Sequence, residues 1–281
     1  MINGPRGAAK GILDAAYRDL GAKPSHGISD ASVTEEDEAL ALVDYVFCPN
    51  AMVTAAVQRR GVSSDKIVEA SYGWDPARFK GTGKALAPIN GLTALFVGSL
   101  SVRKGVHLLL RYWSCSRIRG RLILAGAMEP IIREMCASEL ARDDVVVLDY
   151  VDDVGALFRS ADVFVFPTLE EGGPQVTYEA CGCRLPVITT PMGAGRIARH
   201  GCEGFVLDAY DEAGWIEALA MMAGDPDGRE AMARSAAAHA EAFQWHKVAL
   251  RRREQIEALV NPGGLSGGID PPGIWREADA A

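Results

Sequence analysis

The chain has 281 residues, 48% of them hydrophobic and 23% charged, with a formal net charge of −8. That length makes about one to two domains of roughly 150 residues, enough to bury a substantial core. The acidic balance argues against nucleic acid as a partner, because long-range electrostatics repel a polyanion.

In the first 79 residues, Ile12–Leu20 and Glu35–Val43 carry helical periodicity. Asp44–Cys48 reads as a strand stopped by Pro49, Ala51–Arg59 as a helix and Lys66–Glu69 as a strand. Two strands are too few for a sheet with its own core, so they either extend the main sheet or are the remnant of a second domain. Lys80–Asn90, with Gly81, Gly83 and Pro88, has the composition of an interdomain linker.

From Leu92 onward, apolar runs alternate with helical patterns. Strands are expected at Leu92–Val97, Arg121–Ala125, Val145–Leu148, Val163–Phe166, Pro186–Thr189 and Gly204–Leu207. Helices are expected at Val106–Trp113, Pro130–Leu140, Val154–Arg159 and Pro174–Cys181, the last with proline in its first turn. Further helices follow near Asp211–Met222, Pro226–Phe243 and His246–Leu259. Such alternation specifies an α/β fold, a Rossmann-like parallel sheet with helices on both faces and ligands at the carboxyl ends of the strands. The expected organisation is a partial amino-terminal domain over 1–79, a binding domain over 80–260 and a disordered tail over 261–281.

Met1–Lys10 lacks the apolar run of a signal peptide, and no window reaches the roughly 18 apolar residues of a transmembrane helix. The six cysteines form no CxxC pair, and no His or Cys pair completes a zinc site around Cys181 and Cys183. They read as reduced thiols of a cytoplasmic protein whose membrane contact, if any, is peripheral.

Two loops at strand ends carry the chemistry. In Val97-Gly-Ser-Leu-Ser-Val-Arg-Lys-Gly105, Gly98 and Gly105 permit tight paths, and Arg103 and Lys104 precede a helix N-terminus. A diphosphate suits that environment, and so does a solvated basic turn. In Phe166-Pro-Thr-Leu-Glu-Glu-Gly-Gly-Pro-Gln-Val-Thr-Tyr-Glu-Ala180, Glu171 lies in the loop and Glu179 on the second turn of the helix. Each carboxylate could accept hydrogen bonds from neighbouring sugar or ribose hydroxyls, or simply favour a helix start.

Together these loops, with Leu185-Pro-Val-Ile-Thr189, Gly193, Gly201-Cys-Glu-Gly-Phe-Val206 and Phe243-Gln-Trp245, resemble the group-one family of retaining GT-B glycosyltransferases. The resemblance covers roughly residues 35–259, and the E-x7-E spacing of Glu171 and Glu179 is its most specific element. It implies metal-independent transfer of a sugar from a nucleotide-sugar to a hydroxyl of a sugar or glycolipid acceptor, with retention, in surface polysaccharide or glycoconjugate synthesis. No cofactor beyond that donor is implied. Lys104, with Arg103, would stabilise the leaving diphosphate; Glu171 would bind sugar hydroxyls and Glu179 the ribose. Gly98, Ser99 and the backbone of Gly172, Gly173, Gln175 and Val176 would hold sugar and phosphate oxygens, with Tyr150 and Val151 near the base. Ser99 departs from the family, many of whose members carry Arg there.

Two motifs are rejected. Gly193-Ala-Gly-Arg-Ile-Ala198 has the form of a dinucleotide fingerprint, but the next strand begins too soon for a crossover helix of about a dozen residues. Asp225-Pro-Asp227 has the form of a metal-binding DxD, yet it sits between helices where Asp225 serves as N-cap. Arg111, Arg117, Arg119 and Arg121, interleaved with Tyr112 and Trp113, read as a solvated helix end rather than a polyanion site. Most of the family's acceptor domain has no counterpart, so an exposed apolar patch is expected. Either the chain is an active transferase, alone or completed by a second polypeptide that supplies the acceptor domain, or it is a truncated or non-catalytic module that binds nucleotide-sugar without transferring it.

Overall fold

A computed structural model describes residues 4–261. Helix α1 (Arg6–Asp19) is followed by α2 (Asp30–Leu42), β1 (Val46–Cys48), α3 (Ala51–Arg59) and β2 (Ile67–Glu69). The second part runs β3 (Leu92–Val97), α4 (Val106–Ser116), β4 (Gly120–Ala125), α5 (Pro130–Met135), α6 (Ala137–Leu140), β5 (Val145–Leu148), α7 (Val154–Phe158) and β6 (Val163–Phe166). It continues through α8 (Gln175–Gly182), β7 (Val187–Thr189), α9 (Pro191–Ala194), β8 (Gly204–Val206), α10 (Glu212–Gly224), α11 (Pro226–Ala240) and α12 (Trp245–Val260).

Strands β3–β8 form one parallel sheet in the order β5-β4-β3-β6-β7-β8. The central strands are apolar and buried along nearly their whole length, as a parallel sheet covered on both faces requires. The crossovers carry the chain outward from β3 in one direction and, after its return to β6, outward in the other. The strand order therefore reverses between β3 and β6, and the crevice at their carboxyl ends is where such sheets take ligands.

Strands β1 and β2 pair with each other and not with the large sheet. A small separate cluster of Leu40, Val46, Cys48, Val53, Val57 and Val62 packs beneath them. Helix α12 returns to this first part, where Gln255 Nε2 donates to the Glu69 carbonyl at 2.8 Å and Arg252 to that of Ser71. Beside it lies a cavity of about 590 Å³ lined in part by Tyr45, Phe47, Ile256, Leu259 and Val260. Leu42 and Val260 stand 85% and 71% exposed, and Tyr45, Ile256 and Val260 are exposed apolar side chains of this one cavity.

Several boundaries differ from expectation. Helices α1 and α2 start earlier, α2 at a capping box in which Ser29 and Ser32 exchange hydrogen bonds. The helix expected over 130–140 is divided at Cys136. Pro174 is the N-cap of α8 rather than a residue of its first turn. The 80–90 segment has no regular structure but is pinned to the far side of α7: Arg159 Nε donates to the Gly83 carbonyl at 2.8 Å, and the Ser160 hydroxyl accepts from the Ala85 N–H at 2.8 Å. The tail expected over 261–281 lies, beyond Asn261, outside the described residues.

Candidate functional site

The loop after β3 is shaped by its glycines. Gly98 (φ 143°) ends the strand, its N–H donating to the Ala125 carbonyl at 3.0 Å. Gly105 (φ 68°) caps α4 in the left-handed region, and a Cβ there would overlap the Pro167 carbonyl oxygen. That close approach brings the two predicted loops together. The Leu169 N–H donates to the Arg103 carbonyl at 2.9 Å, and the Thr168 hydroxyl donates to the same oxygen at 3.3 Å.

Side chains follow the backbone. Lys104 forms an ion pair with Glu171, and Arg103 Nη1 lies 3.6 Å from Glu171 Oε1. The Arg103 guanidinium also reaches the Glu170 carboxylate and carbonyl, each at 3.3 Å. Glu170 and Glu171 are only 8% and 7% exposed. Two cations thus face two buried carboxylates at the point where the strand order reverses. Burial, and then the adjacent Arg103, pull the Lys104 ammonium down to about 7, while Glu170 opposes the shift. Ser99 is exposed, with its hydroxyl 3.3 Å from that of Ser101.

The next two residues are held by the amino-terminal part. Asn50 is 1% exposed. Its Oδ1 caps α3 by accepting the Val53 N–H at 2.8 Å, while its Nδ2 donates to the Gly172 carbonyl at 3.2 Å. The Tyr72 ring lies so close to Gly173 that a Cβ there would overlap it. Trp245 and Arg252 of α12 in turn pack on Tyr72. Gln175 is exposed at the start of α8, whereas Val176 and Val151 are half-buried against the core. Tyr150 is 87% exposed.

Glu179 belongs to a different pair. Its Oε1 lies 3.6 Å from Nη1 of Arg78, whereas Glu171 engages Arg103 and Lys104. Burial holds the Glu179 carboxyl above its ordinary value, and Arg78 pulls the other way. Sequence reasoning missed Glu170, Asn50, Tyr72 and Arg78 as parts of this site. Asn50 was open to recognition as an N-cap before an apolar helix, but its bond to Gly172 spans 122 residues and leaves no local signal.

The rejected motifs have structural work. The Thr177 hydroxyl donates to the Gly193 carbonyl at 2.8 Å, and Gly195 (φ 61°) packs on Tyr178. Arg196 Nε donates to the Ala70 carbonyl at 2.9 Å, so this loop ties the two parts of the chain together. Asp225 caps α11 by accepting the Gly228 N–H at 2.9 Å. Tyr112 and Trp113 are buried and Arg111 pairs with Glu212, which leaves no basic aromatic surface there. No group of three or more His, Cys, Asp or Glu side chains suited to a metal occurs among the described residues.

The parallel sheet flanked by helices is an α/β fold of the GT-B type, shared with the solved structures named below. Residues 91–225 match the family of group 1 glycosyl transferases. The chain is 32% identical over 190 residues to the D-inositol 3-phosphate glycosyltransferase of Thermobispora bispora, a match covering 61% of this chain and 44% of that one. The chain thus spans less than half the length of this relative. Among solved structures it resembles sucrose-phosphate synthase from Thermosynechococcus elongatus (TM-score 0.73, 19% identity, covering 89% of this chain and 66% of that one). It also resembles HepE of Anabaena in complex with UDP and glucose (TM-score 0.72, 17% identity, covering 89% and 76%).

Proposed function

We propose that the crevice at the carboxyl ends of β3 and β6 binds a nucleoside diphosphate sugar, and that the chain is the donor-binding part of a retaining, metal-independent glycosyltransferase. The observation that carries this reading is the meeting of Lys104, Arg103 and Glu171 across the two loops. In HepE, a fold relative, the bound molecules are UDP and glucose. Residues 1–79 are read as the remnant of an acceptor-side domain, and 80–260 as the donor domain.

In this proposal Lys104 and Arg103 neutralise charge growing on the leaving diphosphate, the α4 N-terminus assisting, so they contribute most as the bond breaks. Glu171 accepts hydroxyls of the sugar, and Glu179 those of the ribose. Backbone N–H groups around Gly98, Ser99, Gly172, Gly173, Gln175 and Val176 receive sugar and phosphate oxygens. Val151, beside the exposed Tyr150, faces the base. The acceptor hydroxyl attacks from the face that the diphosphate leaves, which preserves the anomeric configuration. Arg103, already engaged by Glu170, takes the role that Ser99 lacks the charge to fill.

The acceptor is a sugar or glycolipid of surface polysaccharide or glycoconjugate synthesis, met in the cytoplasm at the membrane periphery. No described helix is long and apolar enough to cross a membrane, and the described cysteines are unpaired. The exposed apolar side chains Tyr45, Ile256 and Val260, which line one cavity, support a second reading. In that reading the chain binds donor and turns it over only with a partner that supplies the rest of the acceptor side.

Calorimetry with UDP and GDP, together with a donor turnover assay, tests both. Nucleotide binding that Glu179→Ala weakens, with Lys104→Ala lowering turnover more than affinity, is the expected result. Binding without turnover selects the second reading; no nucleotide binding at all defeats both.

A further inference from the structure

Arg78 stands in the single turn Pro76–Phe79, in the crossover between the two parts of the chain. That turn is fixed from several sides. Asp75 accepts the Ala77 N–H at 2.9 Å, and Arg159 Nη1 donates to the Phe79 carbonyl at 3.2 Å. The Phe79 ring lies 6.2 Å from Trp74 and 6.0 Å from Phe158. The backbone beneath Arg78 is therefore rigid, while its side chain is 70% exposed. Glu179 is the reverse case, only 17% exposed on the second turn of α8, with Arg78 its one ion-pair partner among the described residues.

An enclosed carboxylate accepts hydroxyls well only when it is ionised and aimed. We infer that Arg78 is a positioning residue, which holds Glu179 from the crossover side and presents its carboxylate to the ribose of a nucleoside diphosphate. The 3.6 Å approach is made to Oε1. This rests on the proposed reading of Glu179 as the ribose-binding group.

The inference has a pH signature. Arg78 faces Glu179 from the turn, Cys183 from the end of its own helix, and Asp153 and Arg159 flank α7 beyond Cys183. Burial pushes the Cys183 thiol up to about 12, so it stays neutral across the working range. With burial raising the Glu179 carboxyl and Arg78 opposing, loss of Arg78 moves its protonation further toward neutral pH.

The test is UDP binding by calorimetry between about pH 5 and 8 for the wild type, Arg78→Ala, Arg78→Lys and Glu179→Gln. Arg78→Ala is expected to weaken binding about tenfold near pH 5.5 but threefold or less at pH 8, with Arg78→Lys recovering most of the loss. Glu179→Gln is expected to bind weakly with no such slope. An Arg78→Ala affinity equal to wild type, or reduced by one factor at every pH, overturns the positioning role. If Glu179→Gln itself binds as the wild type does, the ribose reading falls and the inference falls with it.

Discussion

The Lys104 ammonium and the Glu171 carboxylate form an ion pair that joins the loop after β3 to the loop after β6. The groups proposed to grip the diphosphate and the sugar therefore neutralise each other across the crevice. Both side chains are nearly enclosed, at 12% and 9% exposure. Enclosure makes the pair sensitive to the loss of either member.

Lys104→Met leaves Glu171 buried beside only the more distant Arg103. Breaking a buried pair from one side costs about 3–5 kcal/mol, largely because the surviving charge is stranded. Lys104→Met/Glu171→Gln removes both charges and should recover much of that loss. Urea unfolding at about pH 6, where the ammonium is charged, measures the cycle. Equal instability of the single and double variants would show that the two groups do not couple.

Lys104 also sets a pH dependence. Burial and Arg103 lower its ammonium from 10.5 to about 7. UDP affinity should fall as the ammonium loses its proton, and UDP binding near pH 7.5 should take up protons. Calorimetry in buffers of different ionisation enthalpy measures the uptake, and a Lys104→Met signal identical to the wild type would refute it.

Glu179 provides a stability and function trade. Its carboxyl is raised above 4.5 by burial, so its charge costs stability once pH exceeds the unfolded value. Glu179→Gln should therefore raise the melting temperature at pH 7, and the gain should vanish below about pH 4, where both states bind the proton. The same change should weaken UDP binding. A variant that melts lower at pH 7 would contradict the argument.

The sheet was readable because its strands are short, buried apolar runs ended by glycine or proline. Leu92–Val97 and Val163–Phe166 were placed to the residue. Helix starts were harder to read. Arg6–Gly11 is rich in small residues, and Ser32 stands where a capping box usually shows Glu or Gln. Motif spacing identified Lys104 and Glu171, which the fold then brought into contact. Local pattern had no access to Arg78, Asn50 and Tyr72, because each acquires its place through tertiary contacts with residues 100 or more positions away.

Asn50 shows how such a contact can be separated from helix stability. Its Oδ1 caps α3 and its Nδ2 holds the Gly172 carbonyl, so Asn50→Ala loses both at once. Serine is also a good N-cap but is too short to span the gap to Gly172. Asn50→Ser should keep most of the melting temperature, whereas Asn50→Ala should lose a further cap contribution of about 1 kcal/mol. Both variants free the Gly172 carbonyl and loosen the segment proposed to receive sugar and phosphate oxygens. A buried hydrogen bond contributes about 0.5–1.5 kcal/mol, so both should weaken UDP-sugar binding by about two- to tenfold. Equal affinity for wild type and Asn50→Ser would mean that Gly172 is held by the loop's own bonds, with Asn50 serving α3 alone.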